Sequence, residues 1–302
     1  MKKQEKKFDV YSMVTDRMLD AIEKNQCLPW VKPWSELRGY QQCNGVTGKP
    51  YRGVNMFLLS LSDFESNYWY SFKQIQEMGG SLKEGSKATQ IVFWKQLKVR
   101  ERNEETGKME DKVIPLLRYY NVFNLDQTDG IKPKTFSVPN KDASPIEDCE
   151  NVVADYIERC SLFKLDIKLS GQAFYSPALD LVQMPKIEQF KTVEQYYSVM
   201  FHELGHSTGH KSRLNRKEIN QGGVFGDADY SLEELVAELT ASFVCAEVGI
   251  NNETTERMSQ AYLNNWFSAL QKDRKMFVTA SARASKAADL ILDKQQKVEA
   301  ED

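Results

Sequence analysis

The 302-residue sequence contains only three histidines, and it has no stretch of 18 apolar residues. The missing apolar run excludes a transmembrane helix. Residues 1–7 are mostly charged and lack the apolar stretch of a secretory signal, so a cytoplasmic protein is expected and no membrane partner. The five cysteines (27, 43, 149, 160 and 245) are scattered, odd in number and without a C-x-x-C pair. They read as reduced thiols, with neither a disulfide framework nor a cysteine zinc site. Internal repeats are absent, and low complexity is confined to the polar tail from about Lys294.

The three histidines all fall within nine positions, in His202-Glu203-Leu204-Gly205-His206-Ser207-Thr208-Gly209-His210. Its core is H-E-x-x-H. On a helix the first two histidines lie about 40° apart in angle and lean to one face. Glu203 sits next to that face, where a carboxylate can take a proton from a metal-activated water. The preceding residues support a helix, because apolar side chains at 193, 196, 197, 200, 201 and 204 follow a 3.6-residue period. Imidazole nitrogen with one carboxylate suits Zn²⁺, with Mn²⁺ or Co²⁺ as other occupants.

A third protein ligand is required. His210 is roughly 12 Å from His202 along a continuous helix, too far to share the ion unless Gly209 turns the chain back. The metzincin pattern fits poorly, since Ser212 stands where its last histidine belongs. The better candidate lies in Tyr230-Ser231-Leu232-Glu233-Glu234-Leu235-Val236-Ala237-Glu238-Leu239. Ser231 and Glu234 have capping-box spacing, a purely structural explanation. Against it, the stripe 234, 238, 241, 245 reads Glu, Glu, Ala, Cys, and a carboxylate pair on a face of small residues needs a cation or hydrogen bonds. Glu234 is therefore the expected third ligand and Glu238 the expected orienter of a ligating histidine, with the reverse order open. Glu233 is expected to point into solvent. The order H-E-x-x-H then E-x-x-x-E on a second helix resembles the gluzincin arrangement, whose chemistry is peptide hydrolysis. Residues 173–185 read as two short strands around a Ser-Pro turn, offering an edge for an extended substrate. Tyr175 and Tyr230 are candidate polarisers of an oxyanion, and 217–229, with three glycines, is a candidate lid.

The length accommodates two domains, each with its own core. Three prolines among polar residues at 131–145 mark a linker between residues 1–130 and 146–302. Residues 1–130 hold 20 Lys+Arg against 17 Asp+Glu, a formal +3; the overall −3 then leaves −6 for the remainder. In the first part the pattern predicts an amphipathic helix over 8–25, a strand at 68–72, a short helix ending at Gly79-Gly80, and paired strands near 88–101 and 112–124. Aromatic residues alternate with cations there: Trp30 and Trp34 around Lys32, Tyr51 beside Arg52, Trp69 near Lys73. Rings that stack on bases beside cations that follow phosphates bind single-stranded nucleic acid, although buried core aromatics give the same composition.

The succession P-W-x-x-P-W (29–34), G-K-P-Y-R-G-x-N (48–55), W-x-S-F-K-Q (69–74), G-G-S-L-K-E-G-S-K (79–87) and R-Y-Y-N-V-F-N-L-D-Q (118–127) resembles the ArdC-type antirestriction proteins of mobile genetic elements. The H-E-L-G-H-S-T-G-H run, R-L-N-R (213–216) and Y-S-L-E-E-L-V-A-E-L (230–239) are similar to their zincin-like metallopeptidase domain. The resemblance implies an α+β single-stranded-DNA-binding domain over 1–130, joined by the 131–145 linker to a mainly helical zincin-like domain with a small antiparallel sheet over 146–302. It implies a protein that guards DNA entering a host as a single strand. The expected DNA contacts are Trp30, Trp34, Arg52, Trp69 and Lys73, and the expected metal site is His202, His206 and Glu234 with Glu203 as base. A dedicated zinc metalloprotease, carried to protein or peptide substrates on DNA, is the competing expectation.

Overall fold

The computed structural model describes residues 9–25, 27–30, 42–102, 109–133, 145–160, 164–168, 171–220, 228–250 and 260–294. Helix α1 (Val10–Asn25) begins where the Asp9 carboxylate accepts the backbone N–H groups of Tyr11 and Ser12, and it buries Val14, Met18, Leu19 and Ile22 at helical spacing. Then follow β1 (Cys43–Asn44), α2 (Val54–Ser60) and β2 (Tyr68–Ser71). Next is α3 (Phe72–Glu77), started by a reciprocal Ser71–Gln74 capping box. After β3 (Ser81–Leu82) come the long strands β4 (Thr89–Arg102) and β5 (Met109–Asn124), then β6 (Thr128–Asp129). β4 and β5 pair antiparallel from Thr89 opposite Val122 to Arg102 opposite Met109. The sheet order is β1-β2-β5-β4, with β3 and β6 forming a separate small ladder. The helix, strand, short helix and strand pair expected for this part are all present.

The second part contains α4 (Pro145–Arg159), β7 (Lys164–Lys168), β8 (Phe174–Ser176), β9 (Leu181–Pro185), α5 (Val193–Ser207), α6 (Lys217–Asn220), α7 (Ala228–Val248), α8 (Gln260–Lys272) and α9 (Met276–Ile291). Its sheet is mixed where an antiparallel one was expected. β8 runs antiparallel to β9 as the turn suggested, but β7 joins the other side of β9 in parallel. The connection through β8 carries the chain back before it enters β9. Helix α7 starts three residues before Ser231, so that serine lies within the first turn and is not the cap.

The two parts share one hydrophobic cluster. One cluster unites Val14, Met18, Leu28, Trp30 and Phe57 with Leu235, Leu239, Trp266, Leu270 and Phe277. Phe57 stacks on Phe243 at 5.2 Å, and Trp30 meets Trp266 edge-on at 5.9 Å. Most of the expected linker, 134–144, lies outside the described residues, so the sharing of core is what the structure adds to the domain division. A second cluster under α5 gathers Tyr156, Val182, Met184, Phe201, Leu204 and Val244. The five cysteines are free, and among the described residues no helix is long and apolar enough to cross a membrane.

Candidate metal centre

Thr192 caps α5 by accepting the Gln195 N–H at 3.1 Å. Tyr196, Tyr197, Met200, Phe201 and Leu204 anchor the helix in the second core cluster, which turns His202 and His206 toward α7. Gly205 permits the close approach. A Cβ there would lie 3.1 Å from the Ala237 Cα and 3.2 Å from the Thr240 Cβ, both on α7. With the helices this close, Glu234 reaches both imidazoles.

The three side chains converge, and Glu234 turns a different oxygen to each imidazole. His202 Nε2 and His206 Nε2 are 3.2 Å apart, and oxygens of Glu234 lie 3.6 Å from the first and 3.4 Å from the second. Ligands about 2.0–2.1 Å from a tetrahedral ion are roughly 3.3–3.4 Å from one another. The residues present therefore fit a divalent metal, and they are the one His/Cys/Asp/Glu grouping of this kind among the described residues. Glu203 is buried beside them, and its charge acts on His206. His210 stands apart, with Nδ1 2.8 Å from the Ser212 hydroxyl and 3.6 Å from Asp180.

Two carboxylates on α7 are placed differently from expectation. Glu233, expected in solvent, is buried, and His206 Nδ1–H donates to its Oε1 at 3.2 Å. That bond fixes the tautomer and leaves Nε2 as the donor atom for a metal. Glu238, expected to orient a histidine, accepts the Trp30 indole N–H at 2.6 Å inside the shared core. For His206 the orienting carboxylate is Glu233, one position before Glu234.

Arg216 is the functional residue that sequence reasoning passed over, although its R-L-N-R run was noticed. Its buried guanidinium forks onto Glu233, with Nε at 2.8 Å and Nη2 at 2.6 Å. It also donates to the Thr208 hydroxyl at 2.7 Å and to the Gly205 carbonyl at 2.8 Å, tying the end of α5 to α7. Gly209 leaves room for it, since a Cβ there would meet the guanidinium at 2.9 Å. Arg213 braces the other side, donating to the Ser207 carbonyl at 2.7 Å and to Asp180 at 3.0 Å. Tyr175 donates its hydroxyl to Asp180 at 2.9 Å, so the proton an oxyanion would need is committed elsewhere. The side chain of Tyr230 and the greater part of the expected lid, 221–227, lie outside the described residues. β8 is an edge strand lying against α5.

The electrostatics follow from these contacts. Burial alone would lower the His206 pKa, but the hydrogen bond to Glu233 and the charges of Glu234, Glu233 and Glu203 outweigh it and raise it to about 9. Burial pushes Glu233 upward, and its bonds to Arg216 and His206 more than offset this, holding it below the usual carboxylate value.

Of the expected DNA contacts, Trp30 and Trp69 are fully buried and offer no face to a ligand. Trp30 packs on Trp266 and Phe277, and Trp69 sits in a small core with Leu59, Ile91 and Val122 while its indole N–H bonds Gln42. Arg52 is paired with Asp289 on α9. Lys73 is 85% exposed and forms a loose 3.6 Å pair with Glu77. Trp34 lies outside the described residues.

Fold and site together define a two-part protein whose second part is zincin-like: residues 154–283 match the family model of a zincin-like metallopeptidase. Residues 8–123 match that of the N-terminal domain of anti-restriction factor ArdC. Crystal structures of the antirestriction ArdC protein from the R388 plasmid are 32% identical to the chain. The metal-free form has a TM-score of 0.71 over 94% of this chain and 97% of that one. The Mn(II)-bound form has a TM-score of 0.73 over 95% and 98%. The chain belongs to the ArdC antirestriction family. An uncharacterized protein of Sinorhizobium fredii, y4eC, is 32% identical over 293 residues, 93% of this chain and 91% of that protein. A DNA primase TraC of Escherichia coli is 30% identical over 309 residues, 97% of this chain, and the chain spans only 20% of that primase's length.

Proposed function

We propose that this chain is a single-stranded-DNA-binding antirestriction protein whose C-terminal part is a metal-dependent peptidase, acting in the cytoplasm on or beside DNA that arrives as a single strand. One observation supports the hydrolytic half above all: two imidazole nitrogens 3.2 Å apart face the two oxygens of one carboxylate at 3.6 and 3.4 Å, near the spacing of a tetrahedral ion's ligands, with a buried glutamate adjacent. His202, His206 and Glu234 would hold the metal, with zinc favoured by the donor set and manganese or cobalt as alternatives. Once bound, a divalent ion supplies Lewis acidity toward a peptide carbonyl and makes water a better nucleophile. The chain's own residues do the rest. Glu203 takes the proton of the attacking water and returns it to the departing amine. Glu233, clamped by Arg216, keeps His206 in the tautomer and orientation that present Nε2. The edge of β8 offers backbone groups to an extended substrate.

The test is the Glu203→Gln variant in a DNA-transfer protection assay, beside His202→Ala and the wild-type protein. Gln preserves the metal ligands and removes the base. Loss of protection by both variants means that protection requires hydrolysis. Protection retained by Glu203→Gln and lost by His202→Ala refutes a hydrolytic role in protection and leaves the metal a structural one.

A further inference from the structure

One face of the N-terminal sheet is exposed midway along the β4–β5 pair. Pairing places Ile91 opposite Tyr120, Phe93 opposite Arg118 and Lys95 opposite Leu116. By strand alternation, these six side chains and Val122 share a face. Near β2 that face is closed: Ile91 and Val122 belong to the small core with Trp69 and Leu59. Farther out it is uncovered. Tyr120 is 49% exposed, Leu116 is 37% exposed, and Lys95 and Arg118 are exposed as well. The Phe93 and Tyr120 rings, diagonal neighbours across the pair, meet edge-on at 5.5 Å. On the other face Val92 and Leu117 enter the shared core, while Trp94, edge-on to Tyr11 of α1, and Tyr119 are exposed.

Lys95 and Arg118 lie on this face, and the acids of the strand pair, Glu101, Glu110 and Asp111, stand together at its turn end. Residues 87–100 and 112–125 carry Lys87, Lys95, Lys98, Arg100, Lys112 and Arg118 and no Asp or Glu, in a chain whose formal net charge is −3. An exposed Tyr120 ring and a half-buried Phe93 ring flanked by cations suit a polyanion with unstacked bases, because the rings take base faces and the cations take phosphates. A duplex keeps its bases stacked inside and has no such faces to offer.

We propose that the exposed middle of the β4–β5 pair, formed by Phe93, Lys95, Leu116, Arg118 and Tyr120, is the face on which single-stranded DNA lies. Tyr120 and Phe93 stack on bases, and Lys95 and Arg118 contact phosphates. This rests on the proposal that the protein binds single strands, and it moves the contacts from the buried Trp30 and Trp69 to an exposed sheet face.

The experiment is fluorescence anisotropy of a labelled single-stranded 20-mer with the full-length protein at several salt concentrations. Tyr120→Ala should weaken binding by about tenfold or more. The doubly neutralised Lys95→Gln/Arg118→Gln protein should lower the slope of log K against log salt by about 1.4, for two phosphate contacts. Tyr119→Ala, on the other face, should stay within twofold of wild type. All three variants alter exposed side chains, and a thermal melt of each checks that the fold is kept. If wild type binds and all variants match it, the strand lies elsewhere; this face is then wrong while single-strand binding stands. If wild type fails to bind even at low salt, both proposals fall.

Discussion

Replacing Glu233 should affect folding and metal binding by different amounts that can be measured separately. Its carboxylate is buried and accepts from Arg216 at 2.6 and 2.8 Å and from His206 at 3.2 Å. Glu233→Gln leaves the Arg216 guanidinium buried without its counter-charge, a defect that typically costs about 3–5 kcal/mol. The amide is also a weaker acceptor for the His206 N–H, and loss of such an outer contact lowers metal affinity about 10–100-fold. The double variant Glu233→Leu/Arg216→Met removes both charges and should recover much of the stability, since paired charges can be replaced by apolar groups at little cost. It should not recover metal affinity, because His206 then has no acceptor at Nδ1. Denaturant unfolding of the metal-free proteins gives the first quantity and calorimetric titration with Mn²⁺ or Zn²⁺ the second. Metal affinity within twofold of wild type in a folded Glu233 variant would refute the argument that this carboxylate orients His206.

The metal-free His206, with its pKa raised to about 9 from 6.5, adds stability that is complete below pH 6.5 and is lost as pH rises through about 9. Since only the neutral imidazole binds a metal, apparent affinity should climb about tenfold per pH unit from 7 to 9 and then level, as titrations at three pH values would report. Gly205→Ala drives a methyl to 3.1 Å from the Ala237 backbone, so it should destabilise by about 1–3 kcal/mol and weaken metal binding as α7 is pushed away. Trp30→Phe removes the donor to the buried Glu238 carboxylate and should cost about 1.5–3 kcal/mol in chemical unfolding. The same variant should leave single-strand affinity unchanged, because Trp30 has no exposed surface.

The convergence of His202, His206 and Glu234 was legible because its signals are local. H-E-x-x-H fixes two donors on one helix face, and the stripe from Glu234 marks a carboxylate that needs a partner. Glu233 was misread for an identifiable reason. Solvent exposure is inferred from periodicity only when a helix has a wet side, and α7 buries Leu235, Val236, Ala237, Leu239, Thr240 and Ala241 nearly all round. With no polar face, the angular argument cannot separate neighbouring glutamates. Arg216 was missed because its partner lies 17 residues away on another helix, a distance that no local pattern encodes. Trp30 and Trp69 misled because large rings fill cores and stack on bases equally well, and composition does not separate the two. The long strand pair, by contrast, followed from alternation over many residues, and its register is what brings Phe93, Arg118 and Tyr120 to one face.

The central claim is that His202, His206 and Glu234 together hold one divalent metal. Titration of Zn²⁺, and separately Mn²⁺, into the metal-free full-length protein tests it most directly, with Glu234→Ala and Glu238→Ala titrated alongside. The account predicts one site in the wild type, loss of that site in Glu234→Ala, and its retention in a folded Glu238→Ala protein. Undiminished binding by Glu234→Ala, with the site lost in a folded Glu238→Ala protein, would contradict it and assign the third ligand to Glu238.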